Sequence, residues 1–127
     1  MNAGIVIDAS VAASWCLQDE ADPATDAILT RVNNEGALVP ALWYWEIANI
    51  LAMAVRRGRL TPADAAGQLT DLALLPIATD TDGPKRAWRE TFLLAQSQSL
   101  TAYDAAYLEL AQRTGCELAS KDAELCA

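Results

Sequence analysis

The sequence predicts an α/β fold, a small and mostly parallel sheet of about four strands flanked by helices on both faces. Short apolar runs alternate with longer amphipathic stretches, which is the pattern of strands joined by crossover helices, and no internal repeat interrupts it. The 127 residues are 53% hydrophobic and 20% charged, which suits one buried core and leaves no room for a second full domain. We therefore expect a single domain over residues 1–127.

The strand candidates are short apolar runs. They lie at residues 5–7, 38–39, 77–78 and 117–119. In open parallel sheets, ligands bind beyond the carboxyl ends of the strands. That edge of the predicted sheet is where we expect a site.

The helix candidates fill the segments between these strands. They are residues 11–17, residues 41–57, a helix beginning at Thr61 and Pro62, a helix through Trp88, Phe92 and Ala95 after a turn at 80–84, and residues 101–114. Gly58 and Gly115 are placed to end two of them, because glycine favours the conformation that follows a helix.

The composition excludes several kinds of chemistry. The chain has no histidine, which rules out Ser-His-Asp catalysis, histidine-bound zinc and two-histidine cleavage of RNA. Cys16, Cys116 and Cys126 are far apart and form no Cys-x-x-Cys pair, so we expect them to be reduced and structural. The first residues lack a basic leader and no apolar run is long enough to span a membrane, from which we expect a cytoplasmic protein.

Two acids follow strand candidates. Asp8 comes directly after residues 5–7, and Asp122 follows residues 117–119 after Ser120 and Lys121. Both positions also suit helix capping, by Asp8 or Ser10 at one end of the chain and by Ser120 or Asp122 at the other. A binding site and a helix cap therefore both remain open interpretations.

Two further acids lie in line with apolar helix faces. Glu46 interrupts the stripe formed by Trp43, Ile47, Ile50, Leu51 and Ala54. Asp104 lines up with Tyr107, Leu108 and Ala111, whereas Glu109, Gln112 and Arg113 are expected to mark the solvated face. The alternatives are that Glu46 reaches solvent at the edge of its stripe and that Asp104 completes a capping box with Thr101.

Four acids thus point to one edge of the sheet: Asp8, Glu46, Asp104 and Asp122. Like charges this close raise one another's pKa values unless a cation neutralises them. A ligand set made only of oxygens selects hard divalent cations. We therefore predict a Mg²⁺ or Mn²⁺ site.

These acids and their flanking residues resemble the PIN-domain ribonucleases, specifically the VapC-like toxins of bacterial toxin–antitoxin pairs. The segments that carry the resemblance are IVIDASV, WEIANIL, LTAYDAAYLELA and LASKDAEL, which together span nearly the whole chain. The resemblance implies a PIN-like fold, Mg²⁺- or Mn²⁺-dependent endoribonuclease activity and a small antitoxin of the VapB kind as partner. It also implies that Asp8 and Asp104 are the principal metal ligands, with Ser10 and Ser120 as polar neighbours.

Hydrolysis of an RNA phosphodiester needs an activated water and a stabilised leaving oxygen, and carboxylate-held divalent cations supply both. We expect Asp8, Asp104 and Asp122 to hold metal and Glu46 to be either a ligand or a base. The net charge of −8 opposes RNA binding, so basic residues must be concentrated locally. The candidate RNA contacts are Arg56, Arg57, Arg59, Lys85, Arg86 and Arg89.

Other functions are compatible with parts of this pattern. Tyr44 and Trp45 could stack bases or receive a partner, whereas Trp43 fits the core. A receiver-like signalling domain also binds Mg²⁺ through carboxylates at strand ends, but here no aspartate follows residues 38–39. The third class is an inactive PIN-like interaction module. The apolar content and acidic surface also lead us to expect a homodimer.

Overall fold

The sheet has four strands, all parallel. The computed structural model describes residues 4–122. Its strands are β1 (Ile5–Ile7), β2 (Ala37–Pro40), β3 (Ile77–Asp80) and β4 (Glu117–Ala119), in the spatial order β3-β2-β1-β4. The predicted fold class is confirmed. Strands β2 and β3 extend further than their apolar runs because the parallel pairing of the two continues to Pro40 and Asp80.

The helices connect these strands. They are α1 (Ala9–Cys16), α2 (Pro23–Glu35), α3 (Leu42–Arg56), α4 (Pro62–Ala73), α5 (Gly83–Arg86), α6 (Phe92–Gln98) and α7 (Ala102–Thr114). A 3₁₀ turn (Gln18–Glu20) lies between α1 and α2, and a π-helical turn (Ala87–Thr91) joins α5 directly to α6. Thr61 and Thr101 cap α4 and α7 as their sequence positions indicate.

Helix α2 is absent from the sequence predictions above. Its apolar stripe is weak, since only Thr25 and Val32 among its residues are fully buried. Its ends nevertheless carry clear signals. Asp22 accepts a hydrogen bond from the Thr25 amide, Pro23 occupies the first turn, and Gly36 follows the helix with a φ of 83°.

The core is built around β1, whose three residues are all buried. Helix α7 packs against β1, β2 and β4, while α1 packs against α2 and α3. The predicted stripe on α3 is confirmed, because Trp43, Ile47, Leu51 and Ala54 are buried in this core and Ile50 packs against it. Burial of each large apolar side chain contributes about 1.5–3 kcal/mol to folding, so the core fixes where α3 and α7 lie on the sheet.

The expectation that Glu109 and Arg113 mark a solvated face of α7 is wrong. Glu109 is only 5% exposed, because α6 and the π-helical turn cover this side of the helix. Arg113 donates to Glu109 at 2.8 and 3.1 Å and to Asp80 at 3.2 and 2.9 Å. This face of α7 is therefore buried although its residues are charged. Arg113, Glu109 and Asp80 form an ionic cluster that joins α7 to the end of β3.

Two of the cysteines lie within the described residues, and both are free thiols. Cys16 is buried, and burial together with the nearby Asp71 raises the pKa of its thiol to about 11, which makes it a poor nucleophile. Cys116 is half-buried, and Cys126 lies outside the described residues. No helix within residues 4–122 has the length and apolar character needed to cross a membrane.

Candidate active site

Asp8 lies at the junction between β1 and α1 and is almost fully buried. Its Oδ1 accepts hydrogen bonds from the Ser10 amide at 3.1 Å, the Ser10 hydroxyl at 2.6 Å and the Val11 amide at 3.3 Å. Its Oδ2 accepts a hydrogen bond from the Ser120 hydroxyl. Asp8 is therefore the N-cap of α1, and its second oxygen is directed to the segment that follows β4.

The two serines link Asp8 to the residues after β4. The Ser120 hydroxyl accepts the Asp122 amide at 2.9 Å, and the Ser10 hydroxyl accepts the Lys121 amide at the same distance. Each hydroxyl donates to one oxygen of Asp8 while it accepts one backbone N–H. A helix that Ser120 or Asp122 would cap falls outside the described residues, so that interpretation stays a prediction. The Ser120 hydroxyl links the Asp122 amide to Asp8.

Glu46 is held by a tyrosine from α7. The Tyr107 hydroxyl, in a side chain that is 1% exposed, donates to Glu46 Oε1. Burial raises the pKa of Glu46 above its ordinary value, the hydrogen bond from Tyr107 opposes this, and the charges of Asp104 and Asp8 raise it further. The pKa of Tyr107 is raised by burial and by the same three carboxylates, so the phenol stays protonated as a donor.

Asp104 lies in the first turn of α7, where the Thr101 hydroxyl accepts its amide at 3.1 Å. Its neighbours Glu46 and Tyr107 both experience its charge. Thr101 therefore caps the helix, and Asp104 lies beside the other acids. The cap by Thr101 is confirmed, while the reciprocal half of the capping box and the ligand role of Asp104 stay predictions.

All four acids line a single cavity of about 270 Å³ at the carboxyl edge of the sheet. Its other lining residues are Ala9, Ser10, Asn49, Ile50 and Tyr107. The donor set consists of oxygen atoms, which suits a hard divalent cation. Burial is the main cause of the raised pKa of Glu46, and the charges of Asp104 and Asp8 add to it. Within residues 4–122, no three acidic or cysteine side chains are placed closely enough to ligate one ion.

Three site residues were not identified from the sequence. Tyr107 fits the apolar face of α7, so its role as a donor to Glu46 depends on how α3 and α7 pack together. Asn49 lies one helical turn after Glu46, and this spacing is a signal that could have found it. The contacts of Lys121 could not be predicted from local sequence patterns, because the partners of its side chain lie about a hundred residues earlier in the chain.

The six candidate RNA contacts occupy two different places. Arg56, Arg57 and Arg59 lie at or beyond the C-terminal end of α3, and Arg59 is paired with Asp19 and Glu20 at 2.8 and 2.9 Å. Ten residues of helix separate Glu46 from Arg56, which is about 15 Å along the axis. Lys85, Arg86 and Arg89 instead follow β3, whose carboxyl end lies at the same sheet edge as the acids.

Aromatic side chains divide into buried and exposed groups as expected. Trp43 is buried and makes an edge-to-face contact with Tyr44 at a ring-centroid distance of 5.0 Å. Trp45 is 72% exposed and directly precedes Glu46. Tyr103 is also exposed and directly precedes Asp104, and Trp88 is 96% exposed between Lys85 and Arg89.

The sequence profile of the PIN domain matches residues 5–127. The chain belongs to the PIN-domain family. The resemblance seen in the four sequence segments is thereby confirmed, and the match includes all four acids of the cavity. Membership does not support the receiver-like interpretation.

Named relatives and solved structures are consistent with this family. Ribonuclease VapC3 of Pyrobaculum aerophilum is 29% identical over 121 residues, which cover 95% of this chain and 91% of the relative. The crystal structure of PAE2754 from Pyrobaculum aerophilum superposes with a TM-score of 0.72 at 25% identity, covering 98% of this chain and 85% of that one.

A second solved structure shares the fold. VapC20 of Mycobacterium tuberculosis, described as a toxin that cleaves the sarcin-ricin loop, superposes with a TM-score of 0.68. The match covers 97% of this chain and 93% of that one, and 13% of residues are identical. At this identity the likeness concerns the PIN fold alone.

Proposed function

We propose that this chain is a Mg²⁺- or Mn²⁺-dependent endoribonuclease, the toxin component of a VapBC-like pair, formed by a single PIN domain over residues 1–127. The observation that carries the proposal is the cavity at the carboxyl edge of the sheet, where four carboxylates from four separate segments come together. Further support comes from the PIN-domain match and from a curated relative that is a VapC ribonuclease.

In this proposal Asp8, Asp104 and Asp122, which line one cavity, would hold the cation. Since no three of the described acids converge closely enough to ligate one ion, binding would have to draw them together. A divalent ion bound there supplies Lewis acidity to phosphate oxygens and lowers the pKa of water. Ser10 and Ser120 keep Asp8 in one orientation by donating to its two oxygens. Asp8 is buried, and its low-dielectric surroundings strengthen the attraction between its carboxylate and a cation.

Glu46 is the candidate proton acceptor, and ligation of the cation is its other possible role. Tyr107 occupies Oε1, so we assign Oε2 as the atom that would take a proton or a ligand position. A carboxyl whose pKa is raised toward neutrality is a better general base than an ordinary glutamate. Tyr107 acts here by orienting Glu46.

For the RNA path we favour Lys85, Arg86 and Arg89 over the three arginines near the end of α3. The first group begins at the sheet edge that carries the acids, and Arg89 is strongly exposed. The second group is about 15 Å along α3 from Glu46, and Arg59 is already paired with two acids. Trp45 and Tyr44 are exposed on α3 and remain candidates for base stacking.

We also propose a small VapB-like antitoxin and a second copy of the chain as partners, in the cytoplasm. The net charge of −8 and the acid-lined cavity favour a basic antitoxin segment, whose arginine could pair with the site carboxylates. Exposed Trp45, Trp88, Phe92 and Leu93 give the surface apolar area that a homodimer would cover.

The proposal is tested by incubating the purified protein with structured and unstructured RNA in Mg²⁺, Mn²⁺ or EDTA. We expect cleavage with either metal, none in EDTA, and none by Asp104→Asn. Asp64→Asn is the matched control, because Asp64 occupies the same position after its capping threonine in α4, is exposed, and does not line this cavity. Absence of cleavage by the wild type favours the inactive module, and full activity of Asp104→Asn refutes the assigned site.

A further inference from the structure

Lys121 ties the end of β4 to three other elements. Its ammonium group donates to the Ser14 hydroxyl in α1 at 2.8 Å and to the Glu20 carbonyl of the 3₁₀ turn at 3.2 Å. It also pairs with Asp22, the N-cap of α2, at 3.7 Å. A single side chain therefore holds the segment after β4 against α1, the 3₁₀ turn and the start of α2.

The partner of Lys121 in α1 is a buried hydroxyl. Ser14 is 1% exposed, and its neighbours Val11, Ala12 and Ala13 are buried too. A hydroxyl in such a place is costly unless it is hydrogen-bonded. The Ser14 hydroxyl donates a long hydrogen bond to the Ser10 carbonyl at 3.3 Å and accepts a shorter one from the Lys121 ammonium at 2.8 Å. Lys121 is therefore the partner that satisfies this buried hydroxyl.

The backbone of the same segment is joined to Asp8. The amides of Lys121 and Asp122 donate to the Ser10 and Ser120 hydroxyls, and these hydroxyls donate to the two oxygens of Asp8. The Lys121 amide and the Lys121 ammonium thus bind Ser10 and Ser14, which lie one turn apart on α1, so side chain and backbone both hold the segment to this helix. Asp122 lines the cavity from this segment.

We propose that Lys121 is a positioning residue: with Ser14 as its anchor, it places Asp122 beside Asp8 and so sets the affinity of the site for a divalent cation. This inference rests on the proposed function. Lys121 adds a side-chain anchor on Ser14, Glu20 and Asp22 to the serine-mediated hydrogen bonds that join residues 120–122 to Asp8. Loss of comparable supporting contacts weakens metal sites by about 10–100-fold.

The experiment is a Mn²⁺ titration by calorimetry of the full-length wild type, Lys121→Met, Ser14→Ala and Lys121→Arg. We expect about tenfold weaker Mn²⁺ binding in the methionine variant, a change in the same direction in Ser14→Ala, and recovery in the arginine variant, which retains a donor. The double variant Lys121→Met with Ser14→Ala should bind Mn²⁺ only slightly more weakly than Lys121→Met alone, because both substitutions remove the same contact. Ser14→Ala keeps the test available if Lys121→Met folds poorly.

Arg31→Met is the matched control. Arg31 lies in α2 and pairs with Glu117 at 2.9 Å, so it also joins α2 to β4, but at the end of the strand away from the cavity. A merely structural role for Lys121 would lower the melting temperature in EDTA and leave the Mn²⁺ affinity unchanged. Unchanged affinity in both Lys121→Met and Ser14→Ala overturns the proposal, as does an equal loss in Arg31→Met.

Hydrogen exchange of the Asp122 amide, followed by NMR in EDTA, separates this proposal from the proposed function. Exchange should be faster in Lys121→Met than in the wild type and unaffected by Arg31→Met. If the wild type binds no Mn²⁺, the proposed function and the effect on metal affinity both fail. Faster exchange would then still establish that Lys121 places Asp122, and unchanged exchange would overturn that placement too.

Discussion

Asp8 and Asp104 differ in how far the fold depends on each carboxylate. Asp8 receives four hydrogen bonds and caps α1, whereas α7 is capped by Thr101 rather than by Asp104. Asparagine at position 8 keeps one acceptor oxygen and turns the other atom into a donor facing the Ser120 hydroxyl. The same substitution therefore has different structural costs at the two positions.

We predict that Asp8→Asn lowers the free energy of unfolding by about 1–2 kcal/mol in EDTA, because the hydrogen bond from Ser120 to Oδ2 is lost while Oδ1 still caps α1. Asp104→Asn should leave stability within about 0.5 kcal/mol of the wild type or raise it, since it relieves repulsion among the acids. Urea unfolding of both variants measures this difference. Equal stability of the two would contradict the asymmetric role of Asp8.

Glu46 gives a pH-dependent prediction at the same scale. Burial and the neighbouring acids raise the pKa of Glu46 above the 4.5 of an ordinary glutamate, so the folded state holds the proton more tightly than the unfolded state. The contribution of protonated Glu46 to the free energy of unfolding is fully present below pH 4.5. It is lost as the pH rises through the raised pKa of Glu46 in the folded state. Glu46→Gln cannot titrate and keeps an acceptor for Tyr107.

The unfolding free energy of Glu46→Gln relative to the wild type should therefore increase between about pH 4 and about pH 8 in EDTA. Urea unfolding across this range, with Asp64→Asn for comparison, checks the expectation. A difference that stays constant with pH, or that shrinks as the pH rises, would show that burial and the acid neighbours do not disfavour ionised Glu46.

At the scale of elements, the contacts between α7 and β3 depend on Arg113. Its guanidinium binds Asp80 and Glu109, and all three side chains are largely buried. Burial alone would raise the pKa of Asp80, but hydrogen bonds from Arg113 outweigh this and lower it below 3.8. The resulting stability is present above that value and is lost as the pH falls through the lowered pKa.

We predict that Arg113→Met destabilises the protein by about 3–5 kcal/mol near neutral pH, because two buried carboxylates lose the guanidinium that pairs with both of them. Arg31→Met removes an exposed ion pair and should cost about 1 kcal/mol or less. Thermal and urea unfolding measure both. A similar, small cost for the two variants would mean that the Arg113 cluster contributes no more than a surface pair.

The elements with strong apolar periodicity could be predicted from the sequence. The bounds of β1 and β4 match, α3 is one residue shorter than expected at each end, and α7 begins one residue later than expected. Helix α2 could not be recognised by periodicity, because few of its residues are buried. The burial of Glu109 could not be predicted either, since it depends on α6 lying across α7, which local spacing does not encode.

At the scale of the whole molecule, the four acids could be predicted to share an edge because parallel strands place their carboxyl ends together. The contacts that hold them could not, since Tyr107 reaches Glu46 across 61 positions and Ser120 reaches Asp8 across 112. Local patterns thus predict which residues meet. The hydrogen bonds between them depend on how the helices pack on the sheet.

The net charge of −8 makes the response to cations a property of the whole chain as well as of the cavity. Any salt weakens repulsion among the acids, since screening acts over about 10 Å at 0.1 M ionic strength. Binding in the cavity adds a second effect, because an ion that binds only the folded state stabilises it by mass action. Comparing salts at equal ionic strength separates the two.

We predict that Mg²⁺ or Mn²⁺ at about a hundredfold excess over its Kd stabilises the wild type by about 2.7 kcal/mol, a rise in melting temperature on the order of 10 °C. NaCl at matched ionic strength should raise the melting temperatures of the wild type, Asp104→Asn and Asp64→Asn alike. Divalent ions should give the additional rise in the wild type and Asp64→Asn but not in Asp104→Asn. An additional rise that persists in Asp104→Asn would place the cation outside the cavity, because Asp64 and Asp104 carry the same charge at the same helical position and differ only in what they face.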